Sequence, residues 1–257
     1  MTPHLQPFWI ERGDARLLAA YDCALEAPHT GVLMCAPLLH EYVRSYRLFA
    51  VLGRALAKRG YGVLRFDYQG CGDSSGDDDA FSLTSAKADA AAALEALRER
   101  AGAVPLIVLG IRGGSFVAWS LAATAALEAL WLWQPITDGA SYVTELRRHD
   151  HAERNSRLRY QFGTPAADAA DANTLMGFPL AANLLDELTA ERIESRSDIS
   201  PRITVADAED RQVSFAEARR IVVPSALGSW VEEVEMGHFP PPLIERMAAA
   251  FAEEQGR

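Results

Sequence analysis

One segment constrains the fold of this chain more than any other. The apolar run at residues 106–110 is followed by Ile111, Arg112 and two glycines, and then by a helical stretch rich in small residues. A short apolar run bounded by turn residues is typical of a buried strand, and glycine allows the backbone of a turn to approach its neighbours closely. The segment therefore predicts a buried strand, a tight turn and a helix.

Strands and helices alternate along most of the remaining chain. Apolar runs predict strands at residues 31–37, 61–67, 105–110, 127–135, 202–206 and 230–236, after an opening hairpin of residues 8–11 and 16–26. Helical patterns cover residues 46–59, 82–100, 113–126 and 242–255, with a further helix near 214–220. This alternation predicts an α/β fold with a mostly parallel, eight-stranded sheet covered by helices on both faces.

Residues 137–199 interrupt the alternation with charge clusters and helix-like stretches. We interpret this segment as a helical cap inserted over the carboxyl ends of the strands. The length of 257 residues fits one large α/β domain that includes such an insertion. The predicted organisation is thus a single domain over residues 1–257 with a cap at residues 137–199.

Composition and charge exclude several classes of function. The net charge of −10 argues against nucleic acid as a partner, because phosphate binding requires a basic face. Cys23, Cys35 and Cys71 lack the spacing of a zinc site or a disulfide framework, so no metal and no cofactor are expected. No signal peptide and no membrane-spanning run of about 20 apolar residues are found, which favours a cytoplasmic protein. The oligomeric state stays open.

The turn at residues 110–114 resembles the nucleophile elbow of the α/β-hydrolases, whose pattern is Gly-x-Ser-x-Gly. Gly110 and Gly114 have the family's spacing, but Arg112 occupies the central position of the serine. Residues 67–74 resemble the Asp-x-x-Gly-x-Gly-x-Ser loop of the same hydrolases, and residues 210–213 resemble their Asp-x-x-Val acid loop. His238 precedes the last helix, where the family has its histidine. The resemblance therefore implies the α/β-hydrolase fold.

A finer resemblance concerns residues 34–41, 67–76, 110–114 and 132–135. These stretches are similar to the exosortase A system-associated hydrolases, which are bacterial relatives of the serine-aminopeptidase-like group found with exopolysaccharide and protein-sorting loci. The resemblance extends over most of residues 30–240. It implies no particular substrate, since a fold does not determine a function.

The catalytic roles implied by the resemblance fall on three positions. His238 is the expected general base, and Asp210 is expected to orient its imidazole. Asp207, which directly follows the strand at residues 202–206, is the alternative acid. The third position, that of the nucleophile, is Arg112.

Arg112 cannot act as a nucleophile, because its guanidinium stays protonated in a protein. The helix that follows disfavours a cation at its N-terminus by about 0.3–1 kcal/mol. We therefore expect an anion beside Arg112. Glu41, Asp210 or a carboxylate or phosphate of a ligand are the candidates.

Substitute nucleophiles and pocket residues are less well specified. Ser115 and Cys35 lie close to the turn in sequence or by fold, but burial in the core is the simpler interpretation of both. Ser74 is expected to hold its own turn together. His40 and Glu41 are placed on the loop after the third strand, either lining the pocket or facing solvent. The pocket and oxyanion-loop candidates are Leu38, His40, Glu41, Ile111, Gly113 and Ser115.

Two hypotheses about function follow. In the first, the protein is an enzyme that acts on a small ester, thioester or acyl substrate with His238 and Asp210 but without the serine. In the second, it is an inactive homologue of the hydrolases that binds an anionic ligand or a partner in an exopolysaccharide or protein-sorting pathway. His238 and the acid loop favour the first hypothesis, and Arg112 favours the second.

Overall fold

A computed structural model describes residues 4–155, 174–194, 201–209, 215, 218–223 and 241–255. The main sheet contains β1 (Leu5–Arg12), β2 (Ala15–Asp22), β3 (Thr30–Cys35), β4 (Tyr61–Phe66), β5 (Leu106–Ile111), β6 (Ala129–Trp133), β9 (Arg202–Ala208) and β10 (Arg219–Val223). The helices are α1 (His40–Ala57), α2 (Leu83–Ala101), α3 (Gly114–Thr124), α4 (Gly139–Arg154), α5 (Leu184–Ala190) and α6 (Pro241–Gln255). A small hairpin, β7 (Thr174–Leu175) and β8 (Phe178–Pro179), lies between α4 and α5.

The eight strands of the main sheet have the order β1-β2-β4-β3-β5-β6-β9-β10. β1 and β2 form an antiparallel hairpin, and β2 is antiparallel to β4, whereas the other neighbouring strands are parallel. Helix α1 packs with α6, and α2 packs with α3. The prediction of a mostly parallel, eight-stranded sheet with helices is confirmed.

The fully buried strands lie at the centre of this sheet. Every residue of β3, β5 and β6 is buried, as expected for strands that are covered on both faces. Trp131 and Trp133 of β6 are among the largest fully buried side chains. The segments that follow these three strands all emerge at the carboxyl edge of the sheet, where ligand sites of open α/β sheets are found.

Three local predictions differ from the structure. α1 begins at His40 instead of residue 46, so His40 and Glu41 belong to a helix and not to a loop. The predicted helix near residues 214–220 is wrong at its end, because Arg219 and Arg220 begin β10, whose apolar end pairs with β9. The strand predicted at residues 230–236 lies outside the described residues.

Between β6 and β9 the described chain forms α4, the β7–β8 hairpin and α5. Helix α4 begins at an Asp138 cap, whose carboxylate accepts a hydrogen bond from Ser141 N at 2.6 Å. The interpretation of residues 137–199 as a cap stays a prediction. None of the helices in the described part of the chain combines the length and the apolar character that a membrane crossing needs.

Candidate functional site

The turn between β5 and α3 has a strained backbone at its centre. Arg112 has a φ of 51°, a left-handed conformation that non-glycine residues adopt infrequently. Its N–H donates to the carbonyl oxygen of Trp133 at 3.1 Å, and its own carbonyl accepts from Ser115 N at 3.0 Å. These bonds hold the residue in place at the carboxyl edge of the sheet.

The glycines on both sides of Arg112 allow close packing. A Cβ atom on Gly110 would lie 2.6 Å from the Cβ of Ala118, and one on Gly114 would lie 2.2 Å from the carbonyl oxygen of Ala36. Both distances are shorter than carbon and oxygen atoms tolerate. Glycine is therefore needed at both positions because the helix and the strand approach each other closely, as the sequence predicts.

The side chain of Arg112 is buried in an ion pair. Its Nε and Nη2 donate to Oε1 of Glu41 at 3.1 and 3.0 Å, and the residue is only 3% exposed. Tyr142 of α4 donates its hydroxyl to Oε2 of the same carboxylate at 3.2 Å. Glu145, also on α4, places Oε1 3.7 Å from Nη2 of Arg112. The expectation of an anion beside Arg112 is confirmed, and the anion is Glu41.

We call Arg112, Glu41, Tyr142 and Glu145 the Arg112 cluster. Burial alone would lower the pKa of Arg112, but Glu41, Tyr142 and Glu145 outweigh it, so the pKa of the guanidinium is raised. Burial, and then Glu41, raises the pKa of Tyr142 far above its usual value. The arginine therefore stays charged and the tyrosine stays protonated, which is the state in which each donates to Glu41.

His40, the first residue of α1, is buried beside this cluster. Neither ring nitrogen has a hydrogen-bond partner in the described structure. The pKa of His40 is lowered to about 4, mainly by burial and then by the nearby Arg44, His149 and Arg112, whereas Glu145 acts in the opposite direction. The imidazole is therefore neutral at pH 7. His40 and Glu41 are buried in the first turn of α1, so of the two alternatives for these residues the loop that faces solvent is wrong.

The other pocket candidates are covered by side chains. Leu38, Ile111 and Ser115 are fully buried. A Cβ on Gly113 would meet Leu38 Cγ at 3.0 Å and Tyr142 Cε1 at 3.2 Å, so these two side chains cover the turn. The described residues thus leave little space directly above Gly113.

Neither substitute nucleophile is exposed. The Oγ of Ser115 is buried and has no hydrogen-bond partner within the described residues. Cys35 is also fully buried, and burial raises the pKa of its thiol, which disfavours the reactive thiolate. Both residues therefore match the simpler interpretation of a packed core side chain.

Comparison with known proteins identifies the architecture. A family model described as serine aminopeptidase, S33, matches residues 30–157. Est1E from Butyrivibrio proteoclasticus, solved with ferulic acid, is 14% identical, with 96% of this chain and 98% of that chain covered and a TM-score of 0.64. An esterase from Pyrococcus furiosus is 13% identical, with 99% and 91% covered and a TM-score of 0.63. The chain has the α/β-hydrolase fold.

Two further comparisons complete this result. An α/β serine hydrolase without a lid from Xanthomonas campestris is 14% identical, with 98% of this chain and 95% of that chain covered and a TM-score of 0.58. Among curated proteins, no sequence matches the chain. At these identities the structural likeness establishes the α/β-hydrolase fold and nothing finer.

Three residues are candidates for the catalytic acid and the catalytic base, and the structure describes one of them. Asp207 is buried near the end of β9, and its Oδ1 accepts a hydrogen bond from Ala208 N at 2.8 Å. Asp210 and His238 lie outside the described residues, so their roles stay predictions. Within the described residues, no group of three or more His, Cys, Asp or Glu side chains is placed to hold a metal ion.

The second loop that resembles the α/β-hydrolases is held together by its own polar groups. Ser74 Oγ donates to the carbonyl oxygen of Asp67 at 2.7 Å and accepts from Leu18 N at 2.9 Å. Tyr42 donates its hydroxyl to Oδ1 of Asp67 at 2.5 Å. The prediction that Ser74 holds this turn is confirmed.

Two members of the Arg112 cluster were not predicted from the sequence. Tyr142 and Glu145 belong to α4, on the segment interpreted as a cap. Together with His149 they are spaced three and four residues apart, which places the three side chains on one face of the helix. The sequence spacing indicates that these three side chains share a face of α4. It does not indicate that this face packs against the turn at residues 110–114.

Proposed function

We propose that this protein is a non-catalytic member of the α/β-hydrolase fold that acts by binding. In this proposal the turn at residues 110–114 is the nucleophile elbow, and Arg112 replaces the serine. The observation that carries the proposal is the buried Arg112–Glu41 pair, because it supports a structural role for Arg112 at the turn where the proposal expects a nucleophile.

The covalent chemistry of this fold needs a nucleophile that is accessible to the substrate and to a base. The guanidinium of Arg112 has no nucleophilic atom, and it is almost fully buried. Ser115 and Cys35, the nearest alternatives, are fully buried as well. None of the three groups is therefore suited to attack an ester.

The Arg112–Glu41 ion pair also bears on whether Arg112 binds an anionic ligand. Two donors of Arg112 already bind Glu41, and Glu145 supplies a second carboxylate nearby. We therefore propose that the anion that balances Arg112 is internal, and that Arg112 is not the receptor of an anionic ligand. The resemblance to exosortase-associated hydrolases supports a binding role in an exopolysaccharide or protein-sorting pathway.

A second candidate function is hydrolysis or acyl transfer on a small ester or thioester. It is favoured by Asp207, a buried carboxylate near the carboxyl end of β9, because a hydrolase of this fold places its acid after a late strand. Est1E, which binds ferulic acid, and the Pyrococcus esterase share the fold. In this case His238 would activate water instead of a serine.

One set of assays separates the two candidates. Wild type, His238→Ala and Arg112→Ser are tested with p-nitrophenyl acetate and butyrate, with acyl-CoA thioesters and with a fluorophosphonate probe. We expect wild type and His238→Ala to give the same turnover as buffer and no labelling. Turnover by wild type that disappears in His238→Ala would refute the non-catalytic proposal.

Arg112→Ser alone leaves Glu41 buried without its cation, which is a destabilising change. The double variant Arg112→Ser with Glu41→Gln removes both charges and is the matched test of a restored elbow. Circular dichroism and thermal unfolding verify that each variant is folded. Labelling of the double variant at residue 112 would show that the elbow geometry is intact and that Arg112 alone prevents serine chemistry.

A further inference from the structure

Helix α1 presents an exposed face that differs in charge from the rest of the protein. The chain has a net charge of −10, yet Glu41 is the only acidic residue of α1, and it is buried. The exposed positions of α1 and its C-cap recur every three or four residues, so they form one stripe along the helix. We call this stripe the α1 face, and its residues are Val43, Tyr46, Arg47, Val51, Arg54 and Lys58.

Half of the α1 face is apolar and exposed. Val43, Tyr46 and Val51 are 54%, 59% and 45% exposed. They are three of the seven large hydrophobic side chains that are exposed in the described part of the chain. Single exposed apolar residues need no explanation, but several on one helix indicate an interaction surface.

The other half of the α1 face is cationic. Arg47, Arg54 and Lys58 are exposed, and none of them forms an ion pair with a described residue. Other exposed arginines of the described chain have a carboxylate partner, as Arg16 has in Glu11 and Arg202 in Glu128. The α1 face therefore concentrates positive charge on an acidic protein.

A groove lies between the α1 face and the last helix. Its volume is about 440 Å³, and it is lined by residues of α1 from Tyr46 to Arg54 and by Ile244 of α6. More of its lining is apolar than polar, so it suits a protruding apolar side chain. Arg47 and Arg54 line it as well and would meet carboxylates beside that side chain.

We propose that the α1 face and its groove bind an acidic amphipathic helix of a partner protein. An apolar ridge of that helix fills the groove, and flanking Asp and Glu side chains pair with Arg47, Arg54 and Lys58. A groove fits such a ridge better than a flat lipid surface does, and the local positive charge of the α1 face complements the acidic flanks of the helix. This inference does not rest on the proposed function, since a hydrolase would be able to use the same surface.

The test measures binding of two fluorescein-labelled helical peptides by fluorescence anisotropy. One peptide repeats leucine and glutamate, and the other has lysine in place of each glutamate. We expect wild type to bind the glutamate peptide, with weaker binding at high salt, and to bind the lysine peptide at least about tenfold more weakly. Equal binding of both peptides, or no binding of the glutamate peptide, would overturn the proposal.

Matched variants locate the binding site. Arg47→Glu with Arg54→Glu removes the cations, and Val51→Ser removes apolar area from the groove. Arg147→Glu on α4 and Val222→Ser on β10 are controls, because both residues are exposed and lie outside the α1 face. We expect the first two variants to weaken binding by about tenfold or more and the controls to leave it unchanged. Equal effects of variants and controls would contradict the assignment of the site.

Two parallel experiments test the other possible occupants of the α1 face, which are a membrane surface and a second copy of the chain. Sedimentation of wild type with phosphatidylcholine vesicles containing phosphatidylserine tests a membrane surface, and light scattering during gel filtration tests a second copy. We expect no co-sedimentation and a molecular mass that Arg47→Glu with Arg54→Glu does not change. Vesicle binding, or a dimer that this double variant dissociates, would replace the partner helix as the occupant and overturn the proposal.

Discussion

Two loops at the carboxyl edge of the sheet resemble the same family and are stabilised in different ways. They follow β4 and β5, the two strands that flank β3. In the loop after β4, Ser74 and Asp67 are short polar side chains that bind nearby backbone groups. In the turn after β5, Arg112 reaches a carboxylate on α1, which in turn binds a tyrosine of α4. The first loop is held by hydrogen bonds, including those from Leu18 of β2 and Tyr42 of α1, whereas the second depends on a buried ion pair with α1.

The first turn of α1 joins these two loops. Glu41 pairs with Arg112, and the next residue, Tyr42, donates to Asp67. Adjacent residues of one helix therefore contact both loops. The comparison teaches that replacing a polar residue in the β4 loop costs a hydrogen bond, whereas replacing one in the β5 turn leaves a buried charge without its partner.

The largest predicted effect is on stability and comes from Glu41→Ala. This change leaves Arg112 buried without its main carboxylate, and removing one partner of a buried pair costs about 3–5 kcal/mol. Urea denaturation at pH 7 measures the loss. Glu145→Ala is the control, because Glu145 is 39% exposed and lies 3.7 Å from Arg112, so its removal should cost less than about 1 kcal/mol. Similar costs for the two variants would break the comparison.

A second prediction concerns pH and His40, which lies next to Glu41 in the same turn. Its pKa is about 4 in the folded chain, below the ordinary value of 6.5. As the pH falls below 6.5, the unfolded chain takes up this proton first, so stability is full above pH 6.5 and decreases toward pH 4. The loss from this residue is about 3 kcal/mol over that range.

His40→Leu should remove this part of the acid sensitivity. The measurement is the free energy of unfolding of wild type and variant at pH 7 and pH 4. We expect the variant to lose less stability than wild type between these values. An identical loss in the two proteins would show that His40 is not neutral and buried as described.

The smallest predicted effect comes from the β4 loop. Ser74→Ala removes one hydrogen bond to the carbonyl of Asp67 and one from Leu18 N, which should cost about 1–2 kcal/mol. The measurement is again urea denaturation at pH 7. A cost as large as that of Glu41→Ala would show that the two loops do not differ in the way proposed.

Local features of the fold were predictable from the sequence. The spacing of Gly110 and Gly114 predicted the tight turn, and the helical pattern of residues 82–100 predicted α2, which begins at a Ser82 cap with a full capping box. The alternation of apolar and helical segments predicted the sheet. In each case the physical cause lies within a few residues of the pattern, such as a missing Cβ or a side chain that accepts from the next turn of backbone.

The partners in the site were less predictable. Glu41 lies 71 residues from Arg112 in sequence, and Tyr142 lies 101 residues from Glu41, so no local pattern connects them. Glu41 is one of several anions that the sequence offers as the partner of Arg112. Its place in a buried helix does not follow from the sequence pattern, because that pattern starts α1 six residues too late. The choice between Asp207 and Asp210 also depends on tertiary contacts that a sequence pattern does not contain.

The central claim is that Arg112 is one half of a buried ion pair with Glu41, at the turn that we propose to be the nucleophile elbow. A double-mutant cycle of Arg112→Met and Glu41→Leu tests it most directly, because both replacements are apolar and of similar volume. We expect each single variant to lose about 3–5 kcal/mol of unfolding free energy. The double variant should lose much less than their sum, which gives a coupling energy above about 2 kcal/mol. Losses that add to within about 0.5 kcal/mol would contradict the claim.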